Sequence, residues 1–180
     1  MFILWAICYK ITDKIVYLAN EGLGEKLVSD IMYELQNNER IIEHFGNILP
    51  EVRARENRLL KQRARYFDTA TGISLEAITK GQRTRGKRAG LLFVDDPEED
   101  SDVNTRKKIE QFRKWFFSTL YNILYPKAKV IVLGTVISKD CLVMHLIRDR
   151  KRRNIFYKAL ENGKPLREAM RPIAMLKKRL

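Results

Sequence analysis

The chain has 180 residues, 45% hydrophobic and 32% charged, which is enough for one globular domain with a substantial core and too apolar for a disordered segment. Its 35 Lys and Arg stand against 22 Asp and Glu, a formal charge of +13 that points to a polyanionic partner, nucleic acid first and an anionic membrane surface second. Cys8 and Cys141 lie far apart without metal-ligand spacing and read as reduced, part-buried thiols, which suits a cytosolic compartment.

In chain order, MFILWAIC is apolar but lacks a basic leader and a small-residue cleavage site. Lys10, Asp13 and Lys14 interrupt it before membrane-spanning length, so it reads as a core segment. KIVYLA, Lys14 to Ala19, has strand length, and EGLGEKLVSDIMYELQNN repeats Leu27, Ile31 and Leu35 at helical spacing. A polar connection with Gly46 and Pro50 leads to VRARENRLLKQRARY, a weakly striped basic helix. YFDTATGISLEAI alternates about Gly72 as a hairpin or bent strand pair.

The loop KGQRTRGKRAG, with three glycines and five basic residues, delivers the chain into LLFVDD, whose continuous apolar run suits a central strand covered on both faces. NTRKKIEQFRKWFFSTLYNILY carries Ile109, Phe112, Phe116 and Leu120 at helical spacing, with Asn104 as the N-cap and Pro126 just past its end. KVIVLGT is a second buried-strand pattern, SKDCLVMHLIRDRKRR a second amphipathic helix, and IFYKAL a final short strand. Strand, helix, strand, helix, strand predicts an α/β sheet with right-handed crossovers. Residues 1–147 form the core in this reading. Residues 148–180, with 12 basic and 3 acidic residues, form a basic segment of net charge +9.

Six acids crowd between Asp95 and Asp102, directly behind the apolar run LLFV. In an open α/β sheet the ligand crevice lies at the carboxyl ends of the parallel strands, where Asp95 and Asp96 fall. Adjacent carboxylates there can hold a phosphate-bound magnesium through its water shell and orient an attacking water. The competing reading is structural: Asp95 closes a turn before Pro97 and the remaining acids form a solvated loop. VLGT ends the next strand with Gly134 and Thr135, whose backbone and hydroxyl would reach the same crevice. Arg83, Arg85 and Arg88 have the guanidinium fork that matches phosphate oxygens. His44 and His145 stand alone, and Trp5, Trp115, Phe116 and Phe117 sit in apolar stripes that read as core.

GQRTRGKRAGLLFVDDPEED, KKIEQFRKWFFSTLYNILYPKAKVIVLGT and KDCL, in this order, resemble the ATPase domain of the large terminase subunit of tailed bacteriophages and prophages, the motor that packages DNA into the capsid. KIVYLANEGLGEKLVSDIMYELQNNERIIEHFGNILP is similar to the segment that precedes this region in such proteins, so nearly the whole chain is covered. The resemblance implies a partial P-loop-NTPase-type (RecA-like) fold, a mostly parallel sheet flanked by helices, with ATP and magnesium as cofactors. It implies that Asp95 is the Walker B aspartate that holds magnesium through water. Asp96 stands where many relatives have the catalytic glutamate, one methylene shorter. Gly134 and Thr135 match the coupling motif, and Arg85 is the candidate arginine finger offered to a neighbouring subunit, with Arg83 and Arg88 equally available by charge. Double-stranded DNA, a terminase small subunit, a portal and sibling ATPase subunits are the implied partners, in the bacterial host cytoplasm and without a membrane.

The departures are as informative. No GxxxxGK[ST] occurs in the 180 residues, and the acidic metal cluster of a nuclease domain does not appear. The chain therefore reads as a middle fragment of such an ATPase, inactive alone, with apolar residues such as Phe2, Leu4 and Trp5 left uncovered. A helicase-like ATPase fragment and a non-enzymatic basic DNA-binding module are the alternatives.

Overall fold

A computed structural model describes residues 2–20, 22–49, 62–162 and 164–166. The chain divides into two compact units, Met1–His145 and Leu146–Leu180. No described helix is long and apolar enough to cross a membrane.

The first unit is α/β, with a mostly parallel sheet flanked by helices, compatible with a Rossmann- or RecA-like arrangement. Its strands are β1 (Lys14–Leu18), β2 (Gln62–Arg63), β3 (Tyr66–Asp68), β4 (Ser74–Ile78), β5 (Ala89–Asp95) and β6 (Leu124–Leu133). They lie in the order β2-β3-β4-β1-β5-β6. The pairings β4 with β1, β1 with β5 and β5 with β6 are parallel, and β2 and β3 close one side antiparallel. The predicted hairpin is therefore present, registered Tyr66 to Glu76 and Asp68 to Ser74. Buried Thr69 closes it, accepting the Ile73 N–H at 2.9 Å while its own N–H bonds the Ile73 carbonyl at 2.8 Å. Of the predicted basic helix, residues 52–61 lie outside the described residues, and Gln62–Arg63 is strand.

Helix α1 (Phe2–Cys8) buries Ile3, Leu4, Ala6, Ile7 and Cys8, and its Leu4 is covered after all. Phe2 and Trp5 are exposed, so Trp5 is not core; the ring stacks against Phe2 and Tyr9 at the surface, with centroids 5.4 and 5.5 Å apart. Both cysteines are free and buried.

Helix α2 (Leu23–Asn37) buries Ile31 and Leu35 of the predicted stripe together with Val28, while Leu27 is only partly buried at the edge of the core. The expected polar connection after it is instead a further helix, α3 (Glu39–Phe45). Asn38 makes both possible. Its extended backbone ends α2, with its N–H on the Glu34 carbonyl, and its side-chain oxygen accepts the N–H groups of Arg40 and Ile41 at 3.1 and 3.4 Å.

The crossover from β5 to β6 differs from the long single helix predicted. After a short helix α4 (Asp100–Val103), Thr105 rather than Asn104 is the N-cap of α5 (Arg106–Trp115), accepting the Lys108 N–H at 3.3 Å. Thr105 has the extended backbone that a cap requires, whereas Asn104 is still helical at the end of α4. Beyond Trp115 the chain widens into a π-helical turn, Phe116–Leu120, then tightens into a 3-10 turn, Tyr121–Ile123. Phe116 and Leu120 remain fully buried through this change. Trp115 and Phe117 are only half-buried.

β6 was expected to be a buried strand. Among the described residues it forms an outer strand of the sheet, paired with β5, and its Leu133 is 51% exposed. Helix α6 (Leu142–Arg148) is shorter than SKDCLVMHLIRDRKRR suggests. Asp149 turns the chain out of it by accepting the Lys151 N–H at 3.0 Å and the Arg152 Nε–H at 2.9 Å.

In the second unit IFYKAL is not a strand. Ile155, Phe156 and Tyr157 are exposed, and the ladder is confined to β7 (Leu160–Glu161) against β8 (Lys164–Pro165).

Asn38→Ala removes the shared cap and is expected to lower stability by about 1 kcal/mol, a fall of roughly 2–4 °C in thermal midpoint, while Asn38→Asp retains most of it. Thermal unfolding followed by circular dichroism measures both.

Candidate functional site

The carboxyl ends of β1, β5 and β6 emerge together because the three are parallel and in register: Leu18 pairs with Val94, and Asp95 with Leu133. Leu91, Leu92 and Val94 are sealed in the sheet, so charge can first appear where burial ends. Asp95 stands there, half-buried, and the Tyr17 hydroxyl donates to its Oδ2 at 2.8 Å. Burial raises the phenol pKa well above its ordinary value. The hydrogen bond to Asp95 and the charges of Asp95 and Asp96 add to this, so Tyr17 remains a protonated donor.

Asp96 takes a left-handed backbone, φ 39°, which an Asp tolerates better than most residues. The turn sends its N–H to the Leu133 carbonyl at 3.1 Å and brings its Oδ1 to the Thr135 N–H at 3.1 Å. Asp95, Asp96 and Thr135 are thus brought together as predicted. The bond from Thr135 is made by its backbone N–H.

The remaining acids are structural acceptors to a greater degree than a solvated loop would need. The Glu98 carboxylate accepts the Leu142 N–H at 2.8 and 2.7 Å and the Val143 N–H at 3.4 Å, capping α6 from a distant loop. Glu99 and Asp102 form a reciprocal capping box around α4. Asp102 also takes the Lys80 ammonium at 2.5 and 2.7 Å, and that ammonium lies 5.7 Å from the centre of the Phe112 ring. Only Asp100 fits the simple picture of an exposed acid at a helix start.

Gly134 has a packing reason to be glycine. A Cβ at this position would lie 2.6 Å from Val143 Cγ2, so the Gly134 backbone packs directly against the Val143 side chain in the first turn of α6.

Arg85 is not brought to the acids within one chain. It precedes the amino end of β5, and six strand residues, roughly 20 Å, separate it from Asp95. There it borders a cleft of about 320 Å³, together with Arg88 and, from the π-helical crossover, Ser118, Thr119 and Asn122. Arg83 is exposed outside that lining. Neither Tyr17 nor this hydroxyl-and-amide wall was anticipated. Tyr17 had a faint signal as the one hydroxyl in an apolar strand, and the wall had none, since helical spacing assigns Ser118 and Asn122 to a solvent face.

A phosphate-bound magnesium commonly needs only one or two protein carboxylates, and Asp95 and Asp96 suit that role. Among the described residues no group of three or more His, Cys, Asp or Glu could hold a metal by itself. With no GxxxxGK[ST] in the chain, the residues present fit the metal half of a magnesium nucleotide but provide no cradle for its triphosphate. The chain matches no protein-family model and no curated protein.

Gly134→Ala is expected to cost about 1–3 kcal/mol through its collision with Val143, and Val143→Ala in the same chain should recover part of it. Chemical denaturation of the single and double variants measures this; an additive double variant would refute the close approach.

Glu98 supplies a pH test. Burial, the largest cause, pushes its carboxyl above the ordinary 4.5, and the N–H groups of Leu142 and Val143 oppose that without reversing it. A raised folded-state pKa gives stability that is present below pH 4.5 and lost as pH rises through the folded value. Glu98→Gln has no such loss, so its thermal midpoint should gain on that of the unsubstituted chain between about pH 4 and pH 7.

Proposed function

We propose that the chain is the central part of an ATP-driven DNA motor of the terminase large-subunit kind, carrying its metal-side and coupling strands. The observation that carries this is the Asp96–Thr135 hydrogen bond, which ties the acidic end of β5 to the end of β6. In this reading Asp95, oriented by the Tyr17 hydroxyl, would hold hydrated magnesium. Asp96 would orient the attacking water. Thr135 would register a change at Asp96 through its backbone N–H and pass it along the Gly134–Val143 contact into α6. Bound magnesium-ATP would supply the phosphoanhydride whose cleavage drives movement.

No step of hydrolysis is assigned to this chain alone, because the phosphate loop and its lysine are not among its residues. A second polypeptide segment bearing them would have to complete the site.

A non-enzymatic nucleic-acid-binding module is the second reading. It is favoured by the engagement of Asp95, Asp96, Glu98, Glu99 and Asp102 in hydrogen bonds that the fold itself uses.

The deciding experiment is titration of the purified 180-residue chain with a fluorescent ATP analogue and magnesium, beside an Asp95→Ala, Asp96→Ala variant. The motor reading expects weak, magnesium-dependent binding that the variant loses, with no measurable ATP turnover by the chain alone. Equal binding by both, or none by the folded chain, would favour the module.

A further inference from the structure

The cleft at the amino end of β5 is a different kind of place from the acid end. One wall is the turn Thr84–Lys87, closed by the Lys87 N–H on the Thr84 carbonyl at 3.0 Å. Gly86 has φ 84°, a conformation that favours glycine and lets the turn fold back tightly. This turn holds Arg85 on its outer corner and leads directly into Arg88, so two guanidinium groups flank one opening. Lys87 between them is turned away and paired with Glu76. The facing wall is the π-helical turn with Ser118 and Thr119 and, from the 3-10 turn after it, Asn122, whose Nδ2 donates to the Ser118 carbonyl. π-Helical turns often occur at functional sites, since the widened turn re-aims side chains that a regular helix would point elsewhere.

The chemistry of the lining is one-sided. It holds two permanent cations, the three hydroxyls of Thr84, Ser118 and Thr119, and an amide, and no acidic residue. Arg88 Nη1 donates to the Lys87 carbonyl at 3.1 Å, which braces that side chain along the turn. Such a set, cationic forks beside Ser, Thr and Asn donors, is what positions phosphate oxygens in protein–nucleic acid interfaces. Arg85, Gly86, Arg88, Ser118 and Asn122 are all exposed, so the cleft is open and suits a polymer lying across it better than a small molecule enclosed within it.

We propose that this cleft, Arg85 and Arg88 facing Ser118, Thr119 and Asn122, is a phosphate site for the backbone of a nucleic-acid strand, separate from the Asp95–Asp96 end. This rests on the reading of the chain as a DNA-handling protein. It does not depend on nucleotide binding, so its test is run without nucleotide, and failure of the ATP-analogue titration leaves it standing.

The test is fluorescence anisotropy of a labelled duplex oligonucleotide titrated with the full chain across a salt series. Arg85→Gln with Arg88→Gln is compared with a charge-matched control, Lys14→Gln with Lys107→Gln, at exposed positions outside the cleft. The expected result is at least about a tenfold loss for the arginine pair, with the slope of log affinity against log salt reduced by about 1 to 2, and under about threefold loss for the control. Ser118→Ala with Asn122→Ala, which alters no charge, should weaken binding about threefold with an unchanged slope. Circular dichroism establishes that each variant is folded.

Equal losses in the arginine pair and the control would overturn the site and leave only diffuse charge attraction. Absence of duplex binding by the unsubstituted chain would overturn it as well. Inorganic triphosphate and polyglutamate serve as competitors. If either binds through Arg85 and Arg88 while the duplex affinity ignores the substitutions, the cleft takes a free polyphosphate or an acidic peptide, and the proposal fails.

Discussion

The parallel pairing of β5 on both of its edges is the constraint from which the rest of the structure follows. Leu91, Leu92 and Val94 are sealed from water, so every backbone N–H and C=O of that stretch must be satisfied by a neighbouring strand, and β1 and β6 supply the two ladders. Parallel neighbours must in turn be reached by crossovers, which places α4, α5 and the π-helical turn between β5 and β6. The same pairing makes the carboxyl ends of three strands emerge together. Whatever chemistry the acid end supports is a consequence of that alignment.

It also explains why a strongly basic protein collects acids at one spot. Where β5 and β6 leave the sheet and α6 begins, several backbone N–H groups have no partner within their own element. Lysine and arginine can only donate, so they cannot answer these groups, whereas an ionised carboxylate accepts at both oxygens. Asp96 takes the Thr135 N–H, Glu98 those of Leu142 and Val143, and Asp102 that of Glu99. The acidity of the segment is first a solution to hydrogen-bond satisfaction. Asp95 is the exception in kind, because its partner is the side-chain hydroxyl of Tyr17, which orients the carboxylate without serving a helix or a turn.

Charge is consequently sorted along the axis of one strand. Acceptors gather at the carboxyl end of β5, and cationic and hydroxyl side chains gather beside its amino end, in the turn of Arg85 and the crossover that faces it. With roughly 20 Å of buried strand between them, the two ends do not neutralise each other. In the two proposals made above, a metal-bound nucleotide and a nucleic-acid backbone would address different ends of the same element.

Periodicity alone was sufficient for β1, α2, the β3–β4 hairpin and β5, because in each the buried positions recur at the spacing the backbone imposes and local turn residues such as Gly72 agree with it. It placed Asp95, Asp96, Gly134 and Thr135 at neighbouring strand ends for the same reason. It could not distinguish an outer β6 from a buried one, since VIVL is equally apolar in either place and only the strand order decides how many sides are paired. Nor could it find the shift from α- to π-helix at Phe116, across which Phe116 and Leu120 both stay buried, or the capping of α6 by a glutamate 44 residues away. Those features were settled by tertiary structure, because each depends on which surfaces the folded chain brings into contact and on which buried polar groups are then left to be satisfied.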